Sequence, residues 1–294
     1  MISVFGSANM DLVAFVSQAP KRGETVTGHR FRTVPGGKGA NQAIAAARAG
    51  GEVKFLGAVG DDAFGTEMRA TLEQAGVDVH GLRQVPGPSG IAHIVVDDEG
   101  GNSIIIVAGA NGTVTGPSGE DLAAIASSRA LLLQLELPMS AVAAAAQAGR
   151  VAGVPVYLTP APARPLPAEL LEAVTTLVPN EHEAAAITGV TGADGALEAL
   201  LELVEEAVIT LGSEGALYGS RSGERLRVPA VKVNAVDTTA AGDTFVGALA
   251  VARAEGHGMA DALAFASAAA ALSVQREGAS TSMPTRLEIE DALS

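Results

Sequence analysis

The chain has 294 residues, 48% of them hydrophobic, no cysteine and a formal net charge of −14. That length and composition suffice for one large buried core in a single α/β domain spanning 1–294. The acidic balance argues against nucleic acid or an anionic membrane as a partner, and the lack of thiols excludes disulfides, thiolate metal sites and cysteine nucleophiles. The five histidines, His29, His80, His93, His182 and His257, are scattered without the i, i+4 spacing of a helical metal site.

The first residues, MISVFGSANMDL, show no basic segment followed by an apolar stretch of signal-peptide length, and no run reaches the ~18 apolar residues of a membrane span. A cytoplasmic protein is expected. In chain order, ISVFGSA, EVKFLGAVG, ALLLQLEL, VPVYLTPA, TLVPN and EAVITLG read as buried strands alternating with Ala/Leu-rich helices. AFGTEMRATLEQAG and NEHEAAAITG each predict a helix ended by a left-handed glycine, Gly76 and Gly189. From Asp243 the chain turns strongly helical, with Phe245, Ala248, Leu249 and Ala252 at i, i+3, i+4, i+7, then Leu263, Ala266 and Ala270 in a second helix. The expected fold is α/β, with a central, mostly parallel sheet flanked by helices.

Two segments break this rhythm. Residues 12–34 and 90–107 lack helical periodicity and are rich in β-branched residues, and DDEGGN between the strands of the second is a good hairpin turn. They read as strands of a small β-sheet lid projecting from the main domain; the alternative is that they extend the central sheet. TPAPARPLPAE reads as a short loop before a helix.

The glycine-rich PGGKGANQAIAAARAGG fails as a phosphate loop, because Arg32 stands five before Gly37 and Gly39 follows Lys38. It fails as a dinucleotide fingerprint because Gln42 occupies the last glycine position. What remains is a turn with exposed amides, a cation and an amide side chain, leading into a helix from about Asn41, which suits a hydroxyl-rich ligand.

VDTTAAGDTFVGALA poses a sharper case. Small residues at Ala240, Ala241 and Gly242 bring free N–H groups to a helix start, which with the helix dipole makes an anion site. A lone Asp243 there would usually be a cap. A cap requires neither the Ala-Ala-Gly run nor the second carboxylate, Asp237. The helix terminus is expected to depress the proton affinity of Asp243 and make it a weak base, tolerable in phosphoryl transfer, where positioning and charge stabilisation dominate.

Together these stretches resemble the ribokinase, or PfkB, family of ATP-dependent sugar and nucleoside kinases, from GSANMD at residue 6 to GASTSMP at residue 278. The resemblance implies a ribokinase-like fold, lid included, and ATP, Mg2+ and a monovalent K+ activator. GSANMD implies Asn9 and Asp11 as sugar ligands, GGKGAN adds Gly37, Lys38 and Asn41, and QLELP adds Glu136. NEHE implies Asn180 and Glu183 near the phosphates and magnesium, and ITLGSEGA implies Thr210, Gly212, Ser213 and Gly215 around ATP. Asp243 matches the catalytic base, and Ala240, Ala241, Gly242 and Asp243 the anion hole. Asp237 matches a cation ligand, in a role shared with carbonyls of Thr239, Ser273, Arg276 and Gly278 and with Ser282.

Two departures stand out: Ser267 where the family commonly has an adenine-contacting Asn, and Val246 where it often has Asn, the second read as packing. The implied activity is transfer of the ATP γ-phosphoryl to a primary hydroxyl, with O5 of D-ribose as the expected acceptor. A nucleoside, fructose, a keto-deoxy acid or a sugar phosphate stays open, as does a sugar-binding homologue without catalysis. Arg30 and Arg32, which could serve an acidic acceptor, read as solvated charges on a strand edge. A homodimer through the lid is implied as well.

Overall fold

The computed structural model describes residues 1–294. In chain order its elements are strands β1 (Ile2–Phe5), β2 (Asn9–Val16) and β3 (Gly28–Gly36), helix α1 (Lys38–Arg48), strand β4 (Val53–Gly60), helix α2 (Ala63–Gln74), then β5 (Leu82–Val85), β6 (Gly90–Asp97) and β7 (Asn102–Val107). Next come α3 (Gly119–Ala126), β8 (Leu131–Leu133), α4 (Met139–Ala152), β9 (Val156–Leu158), α5 (Ala168–Ala173), β10 (Thr176–Leu177), α6 (Glu181–Thr188) and α7 (Ala193–Leu201). The chain closes with β11 (Glu206–Thr210), β12 (Ala216–Ser220), β13 (Arg225–Val228), α8 (Ala241–Ala254), α9 (Met259–Ser273) and α10 (Arg286–Leu293).

Nine strands form one sheet in the order β13-β12-β11-β10-β9-β8-β1-β4-β5, parallel from β5 to β11, with β12 and β13 antiparallel at one edge. Successive residues of a buried strand point to opposite faces. Accordingly Val4, Leu132 and Val208 join one core with α1, α8 and α9, whereas Phe5, Leu131, Leu133, Ala207 and Ile209 join a second with α3, α4 and α7. Burial on both faces is why these strands read as unbroken apolar runs.

Residues 12–34 and 90–107 do not extend this sheet. β2, β3, β6 and β7 form a separate four-stranded sheet in the order β3-β2-β6-β7, in which β2 pairs antiparallel with β3 and parallel with β6. The DDEGGN turn joins β6 to β7, and the Asp97 carboxylate accepts the amides of Glu99 and Gly101 at 3.1 and 2.8 Å.

β1 lies between β4 and β8, so the chain leaves it toward both edges, and in open parallel sheets such a reversal leaves a crevice beyond the carboxyl ends of the strands. The segments just past β1, β8 and β9 carry Ser7, Gln134, Glu136 and Thr159 into that crevice.

Candidate active site

α1 begins at Lys38, not at Asn41, and the reason lies far away in sequence. Its first amides find acceptors outside the helix: Lys38 N–H donates to Glu136 Oε2 at 3.0 Å, Gly39 N–H to Ser7 Oγ at 3.3 Å, and Ala40 N–H to the Ser7 carbonyl at 2.9 Å. Orphan amides at a helix start need such partners, and a carboxylate there also complements the helix dipole. Gly37 precedes them at φ 90°, and a Cβ on it would stand 2.7 Å from the Asn9 amide nitrogen. The glycine lets the loop lie against β2.

Glu136 Oε2 also accepts from Ser7 Oγ at 2.5 Å and Asn9 Nδ2 at 3.2 Å, leaving Oε1 without a protein donor. Asn9 is held from its other end by Asn111, whose Nδ2 donates to Asn9 Oδ1 at 2.8 Å. Asp11 stands on the same strand as Asn9 and accepts no hydrogen bond from the protein. Burial first, and then the charges of Glu136 and Asp243 against the opposing pull of Lys38, push its carboxyl up to about 7.

Asp243 joins this group from α8. Asn41 Nδ2 donates to its Oδ2 at 3.3 Å and Gln42 Nε2 to its Oδ1 at 3.1 Å. The expectation of a depressed proton affinity is corrected here. Asp243 is buried, and desolvation outweighs Lys38 and the two amides, so the carboxyl is pushed up to about 6. The Lys38 ammonium makes no ion pair with any one acid. Burial disfavours its charge, but Asp243, Glu136, Glu183 and Asp11 together outweigh that and hold it above the ordinary lysine range.

The first turn of α8 borders a second space, a cavity of about 620 Å³ lined by Thr210, Gly212, Ser213, Gly215, Ala241, Gly242 and Ser267. All seven were singled out from sequence. Ser267 Oγ is buried without a partner, and Val246 packs in the core at 2% exposure. Residues 230–233, Ala235, Thr238, Phe245, Ala270, Ala271 and Val274 complete the wall; sequence reasoning did not single them out as lining, since 230–235 has neither strand nor helix periodicity.

Ala240 is the one non-glycine residue with positive φ, at 58°. This left-handed turn aims the start of α8. The Ala241 N–H donates to the Thr238 carbonyl at 3.2 Å, whereas the N–H groups of Gly242 and Asp243 have no acceptor in the preceding loop or on a side chain.

Asn180 and Glu183 cap α6 reciprocally, each side chain accepting the other's amide, at 2.8 and 2.9 Å. Burial raises the Glu183 carboxyl despite its bond to Asn180 and the charge of Lys38, which places it within electrostatic reach of the crevice. Among the expected cation ligands, Asp237, Thr239 and Gly278 meet: Asp237 Oδ1 accepts from Thr239 N and Oγ1 at 2.9 and 2.6 Å, and Oδ2 from Gly278 N at 3.0 Å. The 273–276 turn is tied to the same loop by the Val274 carbonyl, which accepts the Val236 and Asp237 amides. Arg276 turns its guanidinium to Glu288, and the Ser273 and Ser282 hydroxyls donate within their own turns to Ala270 and Ala279. Burial works against ionisation of Asp237, but these donors and the charge of Arg32 hold its carboxyl below the usual range.

Arg30 is exposed on the edge strand β3, in line with the reading of a solvated charge there, and Arg32 is half-buried on the same strand. Both guanidinium groups lie over the Phe15 ring, at 3.8 and 5.4 Å from its centroid, and Arg32 Nε is buried. Ser7, Gln42, Asn111, Gln134 and Thr159 were not singled out as site residues.

Residues 1–286 match the pfkB family carbohydrate kinase profile. Ribokinase of Bacillus subtilis is 45% identical over 100% of this chain and 99% of its own, and ribokinase of Schizosaccharomyces pombe is 44% identical over 100% and 98%. Among solved structures, Arabidopsis thaliana ribokinase complexed with ribose and ATP superposes with a TM-score of 0.94 at 37% identity, covering 100% of this chain and 98% of that one. With an acid-lined crevice and a cavity meeting at one helix start, and with likeness of this extent, the chain belongs to the pfkB family of carbohydrate kinases.

Proposed function

We propose that this chain transfers the γ-phosphoryl group of ATP to O5 of D-ribose. The observation that carries the reading is the first turn of α8, where Ala241 and Gly242 line the cavity while Asp243 faces Asp11, Lys38 and Glu136. A donor nucleotide in the cavity and an acceptor in the crevice would meet at the unpaired amides of Gly242 and Asp243. The names of the relatives support ribose as the acceptor and ATP as the donor.

In this reading the sugar hydroxyls bind to groups that the protein leaves unmatched. These are the Asp11 carboxylate, Glu136 Oε1 and Asn41 Oδ1, the last buried without a partner, together with Asn9 and the Lys38 loop. A ligand of many hydroxyls supplies donors to all three oxygens. Asp243 takes the proton of the acceptor hydroxyl as the new O–P bond forms and the bond to the ADP oxygen breaks. A carboxyl titrating at about 6 is still ionised at neutral pH yet is a stronger base than an ordinary aspartate. The Gly242 and Asp243 amides face the charge that develops on the phosphoryl oxygens.

Glu183 and Asn180 fit the hydration shell of a magnesium ion, since the cap uses Glu183 Oε2 and leaves its Oε1 without a protein donor and Mg2+ keeps most of its ligands as water and phosphate. When bound, the ion would neutralise phosphate charge. The loops at Asp237 and Gly278 offer oxygen donors, the chemistry a potassium ion takes, and such an ion would add a fixed positive charge behind the start of α8. Phe31, Ile104, Ile105 and Ile106 are exposed on the small sheet, which supports its use as a lid that pairs with that of a second copy in a homodimer. Use of ATP agrees with a cytoplasmic location.

The deciding experiment measures ADP release against D-ribose, 2-deoxy-D-ribose, other pentoses, hexoses, nucleosides and keto-deoxy acids, with potassium and then with sodium. D-ribose is expected to give the highest kcat/KM, with the phosphate on O5. Turnover confined to a nucleoside or an acidic sugar would overturn the assignment.

A further inference from the structure

Asn111 stands in the turn that follows β7, buried at 1% exposure. Main-chain groups of a single residue hold both ends of its amide. Its Oδ1 accepts the Ala8 N–H at 3.1 Å, and its Nδ2 donates to the Ala8 carbonyl at 3.0 Å. A backbone N–H can only donate and a backbone carbonyl can only accept, so this side chain has one orientation. The second N–H of Nδ2 goes to Asn9 Oδ1 at 2.8 Å. Asn9 must therefore keep its oxygen toward Asn111 and turn its NH2 group to the crevice. One of those two N–H groups donates to Glu136, and the other has no protein acceptor.

Glu136 asks for the same orientation but holds it less firmly. Its Oε2 is shared by three donors, Ser7 Oγ at 2.5 Å, the Lys38 amide at 3.0 Å and Asn9 Nδ2 at 3.2 Å, the longest of the three. The small sheet converges on the same point. Asn9 pairs with Gly36 at the end of β3 and with Gly90 at the start of β6. A Cβ on Gly90 would stand 2.2 Å from Asn111 Nδ2 and 2.3 Å from Asn9 Oδ1. Gly90 has no left-handed backbone to call for glycine; the missing side chain makes room for the amide pair.

We propose that Asn111 is a positioning residue for the acceptor site, anchoring Asn9 so that its free N–H is presented to a sugar hydroxyl. The proposal rests on the reading of Asn9 as a sugar ligand. Bonds to Ala8 alone would suffice to close the turn after β7. The third bond, to Asn9, is the one that reaches the site, so Asn111 should affect ribose binding without touching ribose.

The test compares wild type, Asn111→Asp, Gly90→Ala and Asn9→Ala by steady-state kinetics with ribose and then ATP as the varied substrate, and by calorimetry of ribose binding. In Asn111→Asp one oxygen still accepts the Ala8 N–H, but the other lies against the Ala8 carbonyl and Asn9 Oδ1, where only a donor fits. Asn9 relieves that contact by turning its NH2 group away from the crevice. KM and Kd for ribose should rise roughly threefold to tenfold, the worth of one neutral hydrogen bond, with KM for ATP unchanged and a smaller change in kcat. Gly90→Ala removes no hydrogen-bonding group yet wedges the amide pair apart, so it should raise KM for ribose in the same selective way. It decides the matter if the buried charge keeps Asn111→Asp from folding.

A KM for ribose within about twofold of wild type in the folded variants, or an equal rise in the KM for ribose and for ATP, would overturn the anchor while a raised KM for ribose in Asn9→Ala kept Asn9 in the sugar site. A wild-type KM in Asn9→Ala would instead remove Asn9 from that site, and the anchor with it.

Discussion

Glu136 caps the helix that carries Lys38: its Oε2 accepts the Lys38 amide at 3.0 Å, while its Oε1 has no protein donor. One carboxylate thus starts α1 and keeps one oxygen for a ligand. Glu136→Gln can keep its oxygen toward Lys38, Ser7 and Asn9 but turns an amide toward the sugar. KM for ribose is expected to rise about 10- to 100-fold, the worth of a hydrogen bond to a charged group, with a smaller change in kcat. Steady-state kinetics with ribose as the varied substrate would check this, and an unchanged KM would remove Glu136 from the sugar site.

The proton affinity of Asp243 sets the pH dependence. A base titrating at about 6 must be ionised to act, so kcat/KM should be level above about pH 7 and fall tenfold per unit well below 6. Asp11, at about 7, feels the charge of Asp243, so the limb reports the coupled pair and not one residue. Asp11→Asn removes a neighbouring negative charge and should move the limb to lower pH. A limb that stays in place would show that Asp243 does not govern it.

Asp11 also sets a stability prediction whose sign is fixed by its raised proton affinity. Unfolded, the carboxyl titrates near 3.8, and folded near 7. Below about pH 3 it is largely neutral in both states and folding is hardly opposed. As pH climbs toward 7 the unfolded chain ionises freely while the folded one resists, and stability is lost at up to roughly 1.4 kcal/mol per pH unit. Asp11→Asn should therefore leave Tm nearly unchanged at pH 3 and raise it by several degrees at pH 8, with loss of ribose affinity as the counterpart. Thermal melts at the two pH values test this, and an equal shift at both would refute it.

The parallel strands were legible because a strand buried on both faces has no polar register to obscure it, as in the LLL of β8, although ALLLQLEL overran that strand at its end. The start of α1 was not, because what caps it, Glu136 and Ser7, is distant in sequence, and Asn41 was the nearest local cue. The proton affinity of Asp243 was read with the wrong sign for a related reason. The helix start is visible in DTTAAGDTF, whereas the burial and the crowd of Asp11, Lys38 and Glu136 are products of the fold. Gln42 was seen only as the residue that spoils a glycine fingerprint. Its bond to Asp243 joins helices separated by most of the chain.

Asp237 ties two loops, accepting from Thr239 on one and Gly278 on the other. Asp237→Ala frees both and removes a charged oxygen donor. The potassium concentration for half-maximal rate should rise at least tenfold, about the worth of one charged contact, while ribose binding measured by calorimetry persists. The rate should be followed against KCl at constant ionic strength. The same potassium response in variant and wild type would exclude Asp237 from the cation site.

Ala240 holds a left-handed backbone at φ 58°, where an L-residue is disfavoured by roughly 1–2 kcal/mol. That turn aims the Gly242 and Asp243 amides, so the backbone conformation, and not the methyl group, is what the site needs. Glycine adopts it freely, whereas a β-branched side chain at positive φ is strongly disfavoured. Ala240→Gly should keep turnover within about twofold and leave Tm level or higher, because relief of strain offsets the added freedom of the unfolded chain. Ala240→Val should lose most of its kcat and lower Tm, since the first turn of α8 must shift to accept it. Ala240→Val with wild-type kcat would mean that the α8 amides do not hold the transferred phosphoryl group.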